Sequence, residues 1–482
     1  MTFRKKTVSS LKWSGLENGF RFIFSFVVSV VLARLLSPED FGLVAMVSIF
    51  IALSKTLIDA GFGDSLIRKV DCKHEDYNTI FTFNVILSVV IYVLLFLSAP
   101  LIADFFNITA IKHIVRITAL GMVISSFSIV QVAVLRKNLE FKKQSLISFV
   151  TTIVSGVLSI LLALNGFSYW SLIIPVLISS IINTFLLWYF STWRPIFRFN
   201  LSIFKEHFSF GSKIMLSSLI NTLGQNIYNT FIGKLFSPIQ LGFFSRADNI
   251  QKLPSSNLDN MIRHITYPLL ASISDEESNL LSKFKLILTY TAFVNTTVML
   301  ILNLVSEDVI KILYGVKWIA SVPYLKILCF VGIFQPLISI NANLLNVKGM
   351  SGYTFFALVI NLSLTIPVIY FGYMFDLINM VYGILVVAII YYLVIIIMVS
   401  FKTSLSFKSQ IKMILMTFML PFICYLLSFV LMYIFFDYPF INNIIVKIFF
   451  YLLFLILFGY YFKSQFVLEG VLIIKNSFFF KK

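Results

Sequence analysis

The chain has 482 residues, of which 59% are hydrophobic, 16% aromatic and only 12% charged. A soluble protein carries about 25% charged residues to keep its surface hydrated, so this composition excludes a water-soluble globular protein. The formal net charge of +17 does not indicate nucleic-acid binding, because most Lys and Arg residues fall in short connectors, where they set topology and contact anionic lipid headgroups.

Long apolar segments follow one another along the whole chain. A helix needs about 20 mostly apolar residues to cross about 30 Å of hydrocarbon. This length requirement predicts fourteen membrane spans, at residues 10–36, 39–62, 79–104, 110–135, 144–165, 168–191, 209–235, 239–271, 282–305, 319–346, 353–374, 378–400, 411–435 and 441–463. We therefore predict an all-α polytopic membrane protein with about fourteen transmembrane helices, the first of them retained rather than cleaved as a signal.

Basic residues alternate between connectors, as the positive-inside rule requires of a polytopic protein. One set of alternate connectors is rich in Lys and Arg, at residues 4–6, 68–73, 136–143, 194–205, 283–285, 348, 402–408 and 463–482. The other set is poor in them, at residues 37–40, 165–170, 371–376 and 435–440. This alternation predicts an even number of spans with both termini in the cytoplasm.

Two segments repeat at an offset of 200 residues without a gap. Residues 32–44 read LARLLSPEDFGLV and residues 232–244 read IGKLFSPIQLGFF. Pro ends one helix and Gly permits the turn into the next, so each motif predicts a tight hairpin between two spans, built on Pro38 with Gly42 and on Pro238 with Gly242. Six spans separate the copies, which predicts two parallel-related lobes, residues 1–200 and 201–402, followed by two further spans and a cytoplasmic tail in residues 403–482.

The same offset relates polar residues within the predicted spans. Residues four apart share a helix face, and two such stripes correspond, namely Arg21, Ser25 and Ser29 with Asn221, Gln225 and Asn229. Asp59 likewise corresponds to Asp259, and these two carboxylates are the predicted groups for ion coupling. Four asparagines within spans are predicted to form interhelical hydrogen bonds instead, namely Asn84, Asn295, Asn341 and Asn343.

Five of the basic residues inside the predicted spans are predicted to line a cavity, namely Arg21, Lys55, Arg246, Lys252 and Arg263. A charge at the bilayer centre costs roughly 2.5–3.5 kcal/mol, so each requires a partner or a wet cavity. Repeated halves place substrate sites at their interface near the midplane. We therefore expect a hydrated cationic cavity between the lobes, whose natural ligand is a phosphate or pyrophosphate.

Local ion pairs are the alternative explanation of these charges. Glu17 with Arg21, Lys55 with Asp59, and Asp259 with Arg263 are each spaced i, i+4. We expect Arg246 and Lys252 to have no acidic partner at that spacing. The three cysteines and four histidines form no disulfide framework and no metal-ligand pattern, and no cofactor site is predicted.

The residues also resemble a known family. The segments at residues 32–69, 78–88 and 135–143 are similar to the Wzx-type polysaccharide flippases of the multidrug/oligosaccharidyl-lipid/polysaccharide superfamily, above all in the hairpin SPEDFG. The resemblance implies a V-shaped bundle of two lobes that works by alternating access. It implies that an undecaprenyl-pyrophosphate-linked oligosaccharide of an O-antigen, capsule or exopolysaccharide crosses the bacterial inner membrane, with cavity cations at Arg21, Lys55, Lys252 and Arg263.

The expected partners are this lipid-linked oligosaccharide, membrane lipids, and a polysaccharide polymerase with its chain-length machinery, but no nucleic acid. Two alternatives remain. One is an ion-coupled multidrug or small-molecule antiporter of the same superfamily, which the excess of basic residues disfavours. The other is a membrane-embedded polysaccharide polymerase or glycosyltransferase, which would be expected to have a sizeable external loop or a metal-binding acidic motif. Neither is visible in the sequence, so we predict that the protein is not an enzyme.

Overall fold

The computed structural model describes residues 3–274, 276–435 and 443–461, and within these ranges every regular element is a helix. The α-helices are α1 Phe3–Leu35, α2 Pro38–Asp59, α3 Phe62–Arg68, α4 His74–Phe106, α5 Ala110–Ser126, α6 Ile129–Lys137, α7 Phe141–Leu164, α8 Trp170–Phe190, α9 Leu201–Leu235, α10 Pro238–Ala271, α11 Glu277–Leu304, α12 Ser306–Leu313, α13 Val322–Val347, α14 Ser351–Met374, α15 Leu377–Lys402, α16 Phe407–Ile434 and α17 Ile444–Tyr461. A short 3₁₀ helix, Val316–Ser321, precedes α13. The predicted all-α class is confirmed.

Eleven of these helices are long and apolar enough to cross a membrane, and the number rises to twelve when α5 and α6 count as one span bent by 41°. Helices α9 and α10 are long enough, with 35 and 34 residues, but neither is among those spans. Helix α9 carries the stripe of Asn221, Gln225 and Asn229, and α10 carries three of the five predicted cavity cations. Each of the fourteen predicted spans coincides with a described helix or bent pair, whereas the count of fourteen membrane crossings stays a prediction.

The chain forms two compact units, Met1–Ser245 and Arg246–Lys482. In the first unit α1 packs on α7, α4 on α5, α7 on α8, and α2 on α9. The unit therefore includes α9, which the sequence repeat assigns to the second lobe. The lobe boundaries stay a prediction.

The second unit is organised around α13, which packs against α11 and α15. Helix α14 packs on α15, and α16 packs against both α11 and α17. Buried side chains of α11, α13 and α15 form most of one apolar core of this unit. A second apolar cluster joins α11, α16 and α17. The predicted cytoplasmic tail lies outside the described residues.

Both repeated motifs lie at helix junctions. Ser37 caps α2 with a reciprocal pair of bonds, since its hydroxyl accepts from the Asp40 amide while the Asp40 carboxylate accepts from the Ser37 amide at 2.8 Å. Pro38 is the first residue of α2, where its missing N–H costs nothing. In the second copy Ser237 accepts from the Gln240 amide at 3.2 Å and Pro238 begins α10.

Candidate functional site

Arg21 is exposed on α1 and is not paired with Glu17. Its guanidinium donates to the Asn18 side chain at 3.2 Å, while Glu17 is buried and accepts a hydrogen bond from Ser145 of α7 at 3.0 Å. Within the described residues no carboxylate lies within ion-pair distance of Arg21. The local-pairing explanation is therefore wrong for this residue, because Glu17 is turned toward α7.

Lys55 and Asp59 are both exposed on α2, one helical turn apart. No ion pair of 4.0 Å or less joins them or links either to another residue that the structure describes. The second predicted local pair is thus absent too. An exposed cation in a membrane-spanning helix requires water or a polar ligand, since hydrocarbon solvates it poorly.

The polar stripes of α1 and α9 are available to a ligand over part of their length. Ser25, Asn221 and Gln225 are exposed, and Asn229 is half-buried. The three amides of the α9 stripe have no hydrogen bond to any described residue. These polar residues contribute to making α9 less apolar than the helices that are apolar enough to cross a membrane.

The basic residues of α10 are differently placed. Arg263 donates to Asp259 at 2.7 Å and to Ser339 of α13 at 3.0 Å, so the third predicted local pair is present. Lys252 pairs with Asp248 at 2.6 Å. The expectation that Lys252 lacks an acidic partner was wrong, since Asp248 precedes it by four residues and therefore lies on the same helix face.

Arg246 and Asp259 are also engaged within the second unit. The Arg246 guanidinium forms a hydrogen bond with the hydroxyl of Tyr314, which is itself buried. Asp259 is buried and its Oδ2 pairs with Arg263 at 2.7 Å, so its ion-coupling role stays a prediction. Of the five predicted cavity cations, Arg21 and Lys55 are exposed and have no carboxylate partner among the described residues, and both lie in the first unit.

Helix α9 runs antiparallel to α2 along the length of α2, and we call their contact the α2–α9 seam. At one end a Cβ on Gly42 would overlap the carbonyl group of Pro238, and a Cβ on Gly242 would overlap that of Pro38. The hydroxyl oxygens of Thr56 and Thr222 are 3.3 Å apart near the middle.

The other end of the seam is also built on glycine. A Cβ on Gly211 would lie 2.7 Å from the Ala60 carbonyl oxygen, and Gly61 has a positive φ of 68°. The two hairpin glycines were predicted from the repeat. The pairing of α2 with α9 was not, because backbone-to-backbone contact leaves no side-chain pattern in the sequence.

A buried polar cluster beside this end was missed from the sequence. His207 of α9 contacts Ser65 of α3 at 2.7 Å and Asp76 of α4 at 3.1 Å. His207 is more than 130 residues away from both partners in the chain, so no spacing rule connects them. Within the described residues no group of three or more His, Cys, Asp or Glu side chains has the arrangement of a metal site.

A comparison with protein families shows which family this chain belongs to. A model described as polysaccharide biosynthesis protein matches residues 31–323, which is more than half of the chain. The chain belongs to this family. The membership confirms the family predicted from the SPEDFG hairpin and its flanking helices.

Relatives in this family carry names from several polysaccharide systems. The chain is 28% identical over 397 residues to the lipopolysaccharide biosynthesis protein WzxC of Escherichia coli K12, covering 81% of this chain and 80% of that protein. It is 28% identical over 355 residues to the teichuronic acid biosynthesis protein TuaB of Bacillus subtilis 168, covering 73% of each. The succinoglycan biosynthesis transport protein ExoT of Rhizobium meliloti is 24% identical, with 70% of this chain and 68% of that protein covered.

Solved structures establish the fold. The lipid II flippase MurJ in an inward closed conformation matches with a TM-score of 0.76 at 16% identity, covering 94% of this chain and all of that chain. An inward-facing multidrug resistance transporter of the MATE family, in the MOP superfamily, matches with a TM-score of 0.62 at 14% identity, covering 79% of this chain and 94% of that chain. The chain is an integral membrane protein with the fold of these transporters.

Proposed function

We propose that this protein moves a lipid-linked anionic oligosaccharide across the bacterial inner membrane, and that Arg21 and Lys55 bind the phosphate groups of the carrier lipid. The observation that carries the proposal is that both cations are exposed on spanning helices and have no carboxylate partner among the described residues. Membership of the polysaccharide biosynthesis family and the flippase-like fold support it.

Phosphate suits these side chains for physical reasons. An Arg guanidinium binds phosphate oxygens through two parallel N–H bonds, and a Lys ammonium adds a point charge. Each charge-assisted hydrogen bond contributes about 1.5–3 kcal/mol. Such a ligand offsets the cost of holding two positive charges inside the membrane.

The depth of the two cations fits a ligand that enters from the inner leaflet. At about 1.5 Å per residue, Arg21 lies about 21 Å from the hairpin end of α1 and Lys55 about 26 Å from the start of α2. Both therefore belong to the half of the membrane nearer the predicted cytoplasmic side. Pyrophosphate on an undecaprenyl carrier would sit there, with its prenyl chain in the lipid.

The relatives are named for different polymers, so the glycan is not what the family members have in common. We propose that the carrier phosphate is the common feature, and that the sugar varies. Residues 1–200 and 201–402 would act as the two lobes that exchange access, with both termini cytoplasmic. Asp59, exposed and without an ion pair among the described residues, remains the proposed ion-coupling group, and a polymerase with its chain-length machinery would receive the product.

Replacing Arg21 or Lys55 with Ala tests the phosphate site. Each change removes at least one charge-assisted bond, so transport should fall by about tenfold or more. The measurements are surface polysaccharide and accumulated lipid-linked intermediate in a deletion strain that expresses the variant at the wild-type level. Arg21→Lys should retain part of the activity, because it keeps the charge and loses the planar fork.

Lys311→Ala is the matched control, since Lys311 is an exposed cation of α12, outside the membrane-spanning helices, and is already paired with Glu307 at 2.6 Å. That variant should transport normally. Full complementation by both Arg21→Ala and Lys55→Ala would refute the proposed site.

A further inference from the structure

The buried cluster at the start of α9 forms a continuous chain of hydrogen bonds. Asp76 and His207 are each only 2% exposed, and Ser65 is 6% exposed. The histidine lies between the other two, with Nδ1 2.7 Å from the Ser65 hydroxyl and Nε2 3.1 Å from the Asp76 carboxylate. The chain connects α9 to α3 and α4 without any exposed member.

The other hydrogen bonds of Asp76 decide the direction of its hydrogen bond with His207. Its Oδ1 accepts from the Lys69 ammonium at 2.8 Å, and its Oδ2 accepts from the Lys73 amide at 2.7 Å. A carboxylate in that setting is an acceptor only, so Nε2 of His207 donates to it. Nδ1 of His207 shares a hydrogen bond with the Ser65 hydroxyl, which can act as donor or acceptor.

A second connection runs beside the first. Lys69 donates to Glu206, the residue before His207, at 2.9 Å. The hydrogen bonds to Asp76 and Glu206 raise the pKa of Lys69 above its ordinary value, so the ammonium stays charged. One turn further along α9, the Arg68 guanidinium lies 4.3 Å from the centre of the Phe210 ring.

These contacts are arranged so that they can break without leaving a buried charge unpaired. If α9 moved away, Lys69 and Asp76 would stay together on the α3 and α4 side, bonded at 2.8 Å. The His207 ring and the exposed Glu206 would leave with α9, and the buried Asp76 would keep its Lys69 partner. Breaking a buried ion pair is usually costly because one charge is left buried without a partner. Opening these contacts avoids that cost, because Asp76 keeps Lys69 as its partner.

We propose that Ser65, His207, Asp76, Lys69 and Glu206 form a latch that closes the α2–α9 seam on the predicted cytoplasmic side and opens during the transport cycle. This inference rests on the proposed transport function. The glycine contacts of Ala60 and Gly61 with Gly211 lie next to the latch, so its opening frees the backbone contact that continues the seam toward Thr56 and Thr222.

The first test measures opening of the seam without any substrate. A Thr222→Cys reporter in a Cys72→Ser background is labelled with a membrane-impermeant maleimide in inside-out vesicles. His207→Leu removes two hydrogen bonds, one of them to a carboxylate, and should raise the labelling rate about tenfold or more. Ser65→Ala removes one neutral bond and should raise it about threefold.

His113→Leu is the matched control, because His113 is an exposed histidine of α5. It should leave labelling unchanged. His207→Gln, whose amide can still donate to Asp76, should fall between His207→Leu and the wild type, which separates loss of the latch from misfolding. Equal labelling of the wild type, His207→Leu and His113→Leu would overturn the proposal.

The second test asks whether the seam must open. The hydroxyls of Thr56 and Thr222 lie 3.3 Å apart, so a Thr56→Cys/Thr222→Cys pair should form a disulfide across the seam. Oxidation should abolish transport and reduction should restore it. Undiminished transport by the oxidised protein would overturn the latch. If Arg21→Ala and Lys55→Ala complement while latch variants still change labelling, the phosphate site fails and the latch stands.

Discussion

At the scale of single residues, Asn295 shows how a hydrogen bond lost to a proline inside a transmembrane helix is replaced. Pro336 lies inside α13 and has no N–H, so the Gly332 carbonyl lacks its usual helical donor. The Asn295 amide of α11 donates to Gly332 at 2.9 Å and to the Ile333 carbonyl at 3.0 Å. Asn295 is fully buried, so no solvent replaces these bonds.

Replacing Asn295 with Leu should lower the free energy of unfolding by about 1–3 kcal/mol for each carbonyl left without a donor. The loss should shrink in a Pro336→Ala background, because the restored N–H can bond the Gly332 carbonyl. Apparent thermal stability in detergent measures both effects, with the exposed Ser363→Ala as control. Equal losses in the two backgrounds would contradict this account of Asn295.

The sequence predicted the partners of some polar residues but not of others. Asn295 makes the predicted interhelical bonds, whereas Asn341 donates to the Leu337 carbonyl of its own helix. Of the i, i+4 ion pairs, Asp259 with Arg263 forms and Glu17 with Arg21 does not. Spacing alone fixes which side chains can meet, and Ser145 on a neighbouring helix decides where Glu17 points.

At the scale of helices, the two Ser-Pro hairpins pack against each other with reciprocal glycine contacts. Gly42 lies against Pro238, and Gly242 lies against Pro38. The neighbouring atoms are backbone carbonyl groups, which cannot rotate away as the end of a side chain can. The 200-residue repeat is thus matched by a repeated contact within the first compact unit.

Gly42→Ala and Gly242→Ala should each destabilise the protein by about 1–3 kcal/mol, because the added methyl group forces the hairpins apart. Thermal unfolding of the purified protein measures this. Gly352→Ala is the control, since a Cβ added at Gly352 would have no heavy atom within 4 Å, and it should leave stability unchanged or slightly higher. Wild-type stability of Gly42→Ala would show that the hairpins do not need this close approach.

Helix boundaries were predictable because local chemistry sets them. Ser37 and Pro38 begin α2 as the motif indicates, and the positive φ of Asn107 ends α4. The contact of α2 with α9 was not predictable, because it depends on glycine surfaces 150 or more residues apart. For the same reason the latch around His207 left no signal in its local sequence.

At the scale of the whole molecule, composition and hydropathy predicted an all-helical membrane protein, which the structure and the transporter folds confirm. They also predicted spans at α9 and α10, although neither helix meets the membrane-span criterion. Membrane crossing by these two helices stays a prediction. What the repeat could not predict is which cations lack a carboxylate partner, since Lys252 and Arg263 pair with carboxylates of their own helix.

The central claim is that Arg21 and Lys55 bind the phosphates of a carrier lipid. Its most direct test is binding of a short-chain prenyl pyrophosphate and of the matching uncharged prenyl alcohol to the purified protein in lipid nanodiscs. The pyrophosphate should bind at least about tenfold more tightly than the alcohol, and Arg21→Ala/Lys55→Ala should remove that difference while Lys311→Ala preserves it. Equal binding of the two lipids, or full retention of the difference in the double variant, would contradict the claim.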